Sequence, residues 1–262
     1  MDSDPVGLDE MLRRALKAQV DLGLSEVILG PPEELPDVRR NATRGAEGLD
    51  DENVSVRPAI DKDLFGEAVS DTIGQAQYSS LEEHYRDICD CSKCRLSESR
   101  NMFVYGTGNP KADLLFIGEG PGQREDELGE PFVGRAGQLL DKILAAIDFS
   151  REDVYIANMV KCRPPGNRDP QPDEMETCRP YLDEQIALIR PKLICALGRV
   201  AGQALLDTRT PLGKLRGSFH DLKGIPVLVT YHPAALLRFP NYKRPTWEDM
   251  QMLRGKYDEL AG

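Results

Sequence analysis

The chain has no run approaching the ~20 consecutive apolar residues that a membrane-crossing helix needs. Its first residues, Met1 to Pro5, show no basic region followed by an apolar stretch, so a secretory signal is not expected. The expected location is the cytosol, where thiols stay reduced, and six cysteines there do not read as three disulfides. Core thiols, metal ligands or a mixture fit better. A basic surplus is also missing: the net charge is −11, which at first sight argues against a polyanionic partner. The deficit is regional. Residues 1–88 hold 9 Lys/Arg against 20 Asp/Glu, whereas residues 89–262 hold 24 of each. The larger part is therefore neutral on average and can still gather positive charge on one face.

What is present suffices for a packed domain. Of 262 residues, 40% are apolar, enough for one large domain with an extension. Residues 8–22 place Leu8, Met11, Leu12, Ala15, Leu16 and Val20 at helical spacing, so 1–29 is expected to be a helical segment suited to docking a protein partner. Residues 30–78 are acidic, punctuated by Pro and Gly and poor in large apolar groups, which predicts a flexible linker. The domain proper is expected over 79–262. Ser80 and Glu83 form a capping-box start for a helix ending near Cys89. Apolar runs at 113–118, 154–160, 192–197 and 226–230 predict strands. Residues 134–149, 172–189, 199–206 and 246–260 predict helices. Strands alternating with helices imply an α/β fold with a mostly parallel sheet, whose sites form at the carboxyl ends of the strands.

Cys91 and Cys94 form a C-x2-C turn, and Cys162 and Cys178 come later. A zinc ribbon would show two close C-x2-C knuckles. One close pair plus two dispersed thiols fits a four-cysteine cubane cluster, and ordinary buried thiols remain the plain alternative. Cys195 lies in an apolar strand and reads as core. Cys89 is left over beside the pair.

Three polar motifs follow strands directly. The first is GEGPGQRED (118–126), whose glycines allow close backbone approach to a ligand, with Glu119 at a strand end among them. The second centres on Asn158, an amide among apolar strand residues that must find partners or cost about 1–3 kcal/mol. It either ties two loops together or reads a base edge, because an amide can donate to one edge atom and accept from the next. The third is TYHPAALLR (230–238). His232 is one of only three histidines, and Leu236, Leu237 and Arg238 suit either a wedge entering a duplex or the first turn of a helix with core leucines.

Together GEGPGQREDELGEPFVGRAGQLLD (118–141), NMVKCRPPGNRDPQPDE (158–174), HPAALLR (232–238) and the order of the four cysteines resemble one family, the family 4 uracil-DNA glycosylases, the iron–sulfur branch of that superfamily. The likeness covers about residues 81–240. It implies a three-layer α/β/α sandwich around a short, mostly parallel sheet. It implies a 4Fe-4S cluster on Cys91, Cys94, Cys162 and Cys178. Phe132 would stack on an extruded uracil, Asn158 would read its polar edge, and His232 would bond its O2. Glu119 and Gly120 would lie by the sugar and the attacking water, and Glu125 near the C5 edge. Arg163, Arg168, Leu236, Leu237 and Arg238 would face DNA. The partner implied is uracil-containing DNA, met by a cytoplasmic monomer with no membrane role. One related branch traps uracil-DNA covalently through a histidine in an inserted basic loop; residues 162–168 here have neither histidine nor insertion, which favours turnover. Two other classes stay open: a non-catalytic iron–sulfur module that binds uracil-DNA or a DNA polymerase, and a zinc-bound nucleic-acid-binding protein.

Overall fold

The computed structural model describes residues 74–261. The expected N-terminal helical segment, and the expected linker apart from 74–78, lie outside the described residues. No helix among the described residues is long and apolar enough to cross a membrane.

Six strands form one sheet: β1 (Thr107–Gly108), β2 (Leu114–Gly118), β3 (Tyr155–Asn158), β4 (Leu193–Leu197), β5 (Phe219–Leu222) and β6 (Ile225–Thr230). Their order is β1-β3-β2-β4-β6-β5. The four inner strands run parallel, and the short edge strands β1 and β5 are antiparallel to their neighbours. The inner strands were legible because both of their faces are covered, so their sequences are apolar without alternation. Leu114 and Phe116 of β2 enter one cluster, and Leu115 and Ile117 enter the other.

Those clusters are closed by helices. On one face lie α3 (Arg135–Ala146), α7 (Pro233–Arg238) and α8 (Lys243–Ala261). On the other lie α4 (Pro172–Ile189), α5 (Arg199–Leu205) and α6 (Leu212–Leu215). The result is the expected three-layer α/β/α sandwich, with each large aliphatic side chain contributing about 1.5–3 kcal/mol on full burial. The remaining helices, α1 (Leu81–Ile88) and α2 (Gln123–Leu128), flank a third apolar cluster and the first glycine loop respectively. Ser80 caps α1 by accepting from the Glu83 amide at 3.2 Å. The chain is already tied down before it: the Gln77 and Tyr78 amides donate to Glu184 on α4.

Some elements differ from the sequence reading. The last helix begins at Lys243 rather than 246. Helix α3 stops at Ala146, where the Ile147 amide turns back onto Leu144. Strand β5 was missed because an exposed edge strand needs no apolar run, and Phe219-His220-Asp221-Leu222 has none.

The register fixes where the strands end. Gly118 pairs with Asn158, and Leu197 pairs with Thr230. The residues that follow therefore stand along one edge of the sheet. From β2 the chain proceeds to β3 on one side, and from β4 to β6 on the other, with α3 and α5 on opposite faces. The crevice between the ends of β2 and β4 is a topological switch point, where sites in such sheets form.

Candidate active site

A cavity of about 420 Å³ opens at that crevice. It is lined by Glu119, Gly120, Glu125, Phe132, Asn158 and His232, all six of the catalytic and substrate-binding residues expected from sequence. Pro164, Asn167 and Asp169, which lie in the 158–174 motif without a role assigned to each, also line it, as does Phe239, which no sequence signal singled out.

One wall is a tight joint between Phe132, Asn158 and Gly118. A Cβ on Gly118 would lie 2.4 Å from Asn158 Oδ1 and 2.6 Å from Phe132 Cζ, so only glycine admits both side chains here. Gly137 on α3 likewise leaves room for the backbone of Phe132, which a Cβ would meet at 1.7 Å. Phe132 itself has φ +54, a left-handed conformation that costs a non-glycine residue about 1–3 kcal/mol. Several bonds hold it there. Arg151 donates to the Pro131 carbonyl at 3.2 Å and to the Phe132 carbonyl, and its Nε pairs with Asp141 at 2.6 Å. Glu125 Oε1 accepts from the Val133 and Gly134 amides at 2.9 and 2.8 Å. Glu125 is thus a strut for the Phe132 loop as well as a cavity residue.

Asn158 is 2% exposed, and its Oδ1 has no hydrogen-bond partner. A buried acceptor left unpaired costs about 1–3 kcal/mol. Asn158 lines the cavity, and this oxygen lies against Gly118.

His232 caps α7. Its Nδ1 accepts from the Ala234 amide at 3.1 Å, which leaves the proton of the neutral ring on Nε2. Its ring stands 5.5 Å from that of Phe132, tilted by 30°. Burial, with the Arg238 cation second, pushes its pKa down to about 4, so the neutral form prevails at physiological pH. The strand end that carries it is anchored from below. Thr230 Oγ1 donates to the fully buried Asp249 at 2.6 Å, and Arg216 donates to the same carboxylate at 2.9 and 3.1 Å.

Glu119 follows β2, and its carboxyl is pushed up to about 7 by burial and then by the carboxylate of Asp169; Arg199 opposes the shift. Arg199 is itself paired with Asp169 at 2.5 Å. A carboxyl poised near neutrality beside the cavity can take a proton from water. The sequence could not show this, because Asp169 and Arg199 come from two other loops.

The expected DNA-facing residues separate. Leu237 is 42% exposed, and Arg238 beside it is exposed and lines the cavity. Leu236 is corrected: at 1% exposure it belongs to the main core cluster and cannot enter a duplex. Arg163 bonds Asn167 at 2.8 Å. Arg168 lines the cavity but gives both guanidinium nitrogens to the buried Glu174, at 2.6 and 2.8 Å, so it braces the loop. Phe239, 52% exposed at the rim, is an aromatic surface that sequence reading missed.

Away from the cavity, Cys162 and Cys178 are buried with Ile88, Leu96, Phe103, Tyr105, Val160 and Tyr181, and Cys89, Cys91 and Cys94 pack against them. The Arg100 guanidinium donates to Cys162 Sγ at 3.2 Å and to the Cys91 carbonyl at 2.5 Å, and Tyr181 Oη lies 3.2 Å from Cys91 Sγ. Among the described residues, no three His, Cys, Asp or Glu side chains are gathered as a site for a single metal ion would need. Cys195 lies apart, inside β4.

The model of the uracil DNA glycosylase superfamily matches residues 105–251. A type-4 uracil-DNA glycosylase of Archaeoglobus fulgidus is 43% identical over 191 residues, covering 70% of this chain and 94% of the relative. One of Saccharolobus solfataricus is 45% identical over 177 residues, 64% of this chain and 82% of the relative. One of Thermotoga maritima is 47% identical over 150 residues, 56% of this chain and 78% of the relative.

Proposed function

Since the chain belongs to the uracil-DNA glycosylase superfamily, in its type-4 branch, we propose that its cavity hydrolyses the N-glycosidic bond of deoxyuridine in DNA, releasing uracil and leaving an abasic site. The observation that carries this reading is the unpartnered Oδ1 of Asn158. Uracil offers a donor at N3 beside an acceptor at O4, and a side-chain amide matches that pair. Cytosine reverses both.

A base stacked in a duplex is out of reach, so it must be extruded, at a cost of a few kcal/mol. Stacking on Phe132 returns about 1–3 kcal/mol. The ring is already fixed for this by Gly118, Gly137 and the clamp from Arg151 and Glu125. As the bond breaks, positive charge grows on the sugar and negative charge on the base. The Nε2 proton of neutral His232 is available to O2 of the departing anion and stabilises it electrostatically. Glu119, as carboxylate, takes the proton of the attacking water, with Gly120 leaving space beside it. Glu125 stands where a substituent at C5 would crowd the wall. Leu237, Arg238 and Arg163 face the nucleic acid, with Leu237 filling the gap that the extruded base leaves.

Cys91, Cys94, Cys162 and Cys178 would hold a 4Fe-4S cluster, which would contribute folding energy and fix loop 162–178 against α1. The fit rests on soft sulfur donors from three separate segments meeting in one apolar cluster with N–H and O–H donors aimed at sulfur. Cys178, pushed up to about 11 by burial, is not an ionised free thiol, and a bound cationic group would compensate its thiolate. We infer a cytosolic monomer acting on uracil-containing DNA, since cysteines that hold iron need a reducing compartment, with the N-terminal segment as the part suited to a protein partner.

The test is incubation of the purified protein with a uracil-containing oligonucleotide, followed by alkaline cleavage at abasic sites. A strand break at the uracil position is the expected result. An intact strand after prolonged incubation leaves a uracil-binding module without catalysis.

A further inference from the structure

Lys161 is a buried charge that the reaction does not use. It follows β3 between Asn158 and Cys162 and is 0% exposed. Its Nζ donates to the Asn158 main-chain carbonyl at 2.9 Å and to Gln185 Oε1 at 2.5 Å. Gln185 is equally buried and passes its own amide to the Tyr105 carbonyl at 3.0 Å. Both acceptors of the ammonium are neutral. Among the described residues no carboxylate pairs with it. An enclosed ammonium without an anion is strongly disfavoured, and such groups are retained when paired or when a nearby centre carries the opposite charge. Burial pushes the Lys161 ammonium down to about 8; of the titratable groups around it, a Cys178 thiolate would oppose that shift, and His84 is disfavoured as a second cation. Lys161 directly precedes Cys162, and the Gln185 that holds its ammonium lies on α4 two turns after Cys178. Its main-chain carbonyl accepts from the Val104 amide at 2.9 Å. One residue is thus joined to a cysteine through its peptide bond and to the base-reading asparagine through its ammonium.

We propose that Lys161 is the buried counter-cation of the four-cysteine cluster and the positioning residue that ties the cluster to the Asn158 backbone. The inference rests on the cluster reading above. Four thiolates around a four-iron cube leave a net negative charge, and Lys161 is the buried cation that directly precedes one of those cysteines. The same ammonium then pins the carbonyl of Asn158, so the amide that reads the base is set from the cluster side. This gives the cluster a defined effect on the cavity without any part in the bond-breaking step.

The test uses full-length protein purified without air, as wild type and with Lys161→Met or Gln185→Glu. The first removes the charge at similar volume. The second keeps the ammonium but places a carboxylate against it. Iron and sulfide content, the cluster's reduction potential by spectroelectrochemistry, and KM and kcat on a uracil oligonucleotide are measured. Both variants are expected to shift the potential to more negative values, because less positive charge disfavours an added electron. Lys161→Met is expected to raise KM about tenfold or more, with a smaller change in kcat, since a misplaced acceptor at Asn158 forfeits about one hydrogen bond. If Lys161→Met loses iron while Gln185→Glu retains it, the potential of the second variant decides. Iron-loaded variants with the wild-type potential and KM would overturn the inference. Wild-type protein that holds stoichiometric zinc and no iron would overturn the cluster reading itself, a separate failure seen before any variant is made.

Discussion

Replacing Glu119 by Gln removes a cavity carboxyl whose ionisation is set by its surroundings. In the folded protein its pKa stands at about 7, against an ordinary value of 4.5, with burial the larger cause and Asp169 the second. The folded state therefore disfavours the carboxylate. The wild-type side chain costs nothing below pH ~4.5 in either state. Its cost grows as the unfolded chain ionises and the folded one resists, and levels off above pH ~7. A shift of this size corresponds to about 3 kcal/mol, reduced to about 1–3 kcal/mol because the group keeps some contact with solvent. Glu119→Gln should then match wild-type stability near pH 4 and exceed it by that amount at pH 8. Urea midpoints across this range measure the difference. The same ionisation should appear in catalysis. Wild-type kcat/KM is expected to rise as pH passes through about 7, where Glu119 becomes the base, and Glu119→Gln should lose that limb along with most of its rate. His232, neutral above about 4, adds no limb in this window. Parallel stability curves together with an unchanged pH–rate limb in the variant would refute the reasoning.

Leu236→Ala should destabilise the fold by about 2–5 kcal/mol through a core cavity, whereas Leu237→Ala should leave the urea midpoint unchanged and slow excision from duplex more than from single-stranded DNA. Protein made under iron-replete conditions without air should contain iron and acid-labile sulfide, and Cys162→Ser should lower both the iron content and the soluble yield. A protein beginning at Gly74 removes most of the acidic surplus carried by residues 1–88. It should bind abasic DNA more tightly than the full chain at low salt, with the two affinities converging as salt rises. Equal affinities throughout a salt titration would remove any tempering role from that segment.

The inner strands and their order along the chain were legible because doubly covered parallel strands must be apolar throughout, as in Leu114 to Ile117. The cavity residues were legible because each follows such a strand or sits in a glycine loop beside one. Other features depended on three-dimensional neighbours. Leu236 and Leu237 are adjacent and chemically alike, and only the placement of α7 against the core decides that the first is buried and the second free. Arg168 reads as a DNA contact until Glu174, six residues on, is seen to hold its guanidinium. The poise of Glu119 comes from its burial and then from Asp169, with Arg199 opposing, all set by neighbours distant in sequence. Lys161 looks like an ordinary basic residue in a polar motif, and its complete burial follows from α4 lying across the end of β3. Phe239 carries no motif and is noticed only because it is exposed at the cavity rim.

The central claim, that this cavity removes uracil by reading it with the side-chain amide of Asn158, is tested most directly by release of free base from matched oligonucleotides carrying uracil, cytosine or thymine, using wild type and Asn158→Asp. Wild type should release uracil and neither of the others. The variant, which loses its donor to O4 at about 1–3 kcal/mol per contact, should lose most of its uracil activity. Uracil release by Asn158→Asp at the wild-type rate, or release of thymine by wild type at a rate comparable to uracil, would contradict the account.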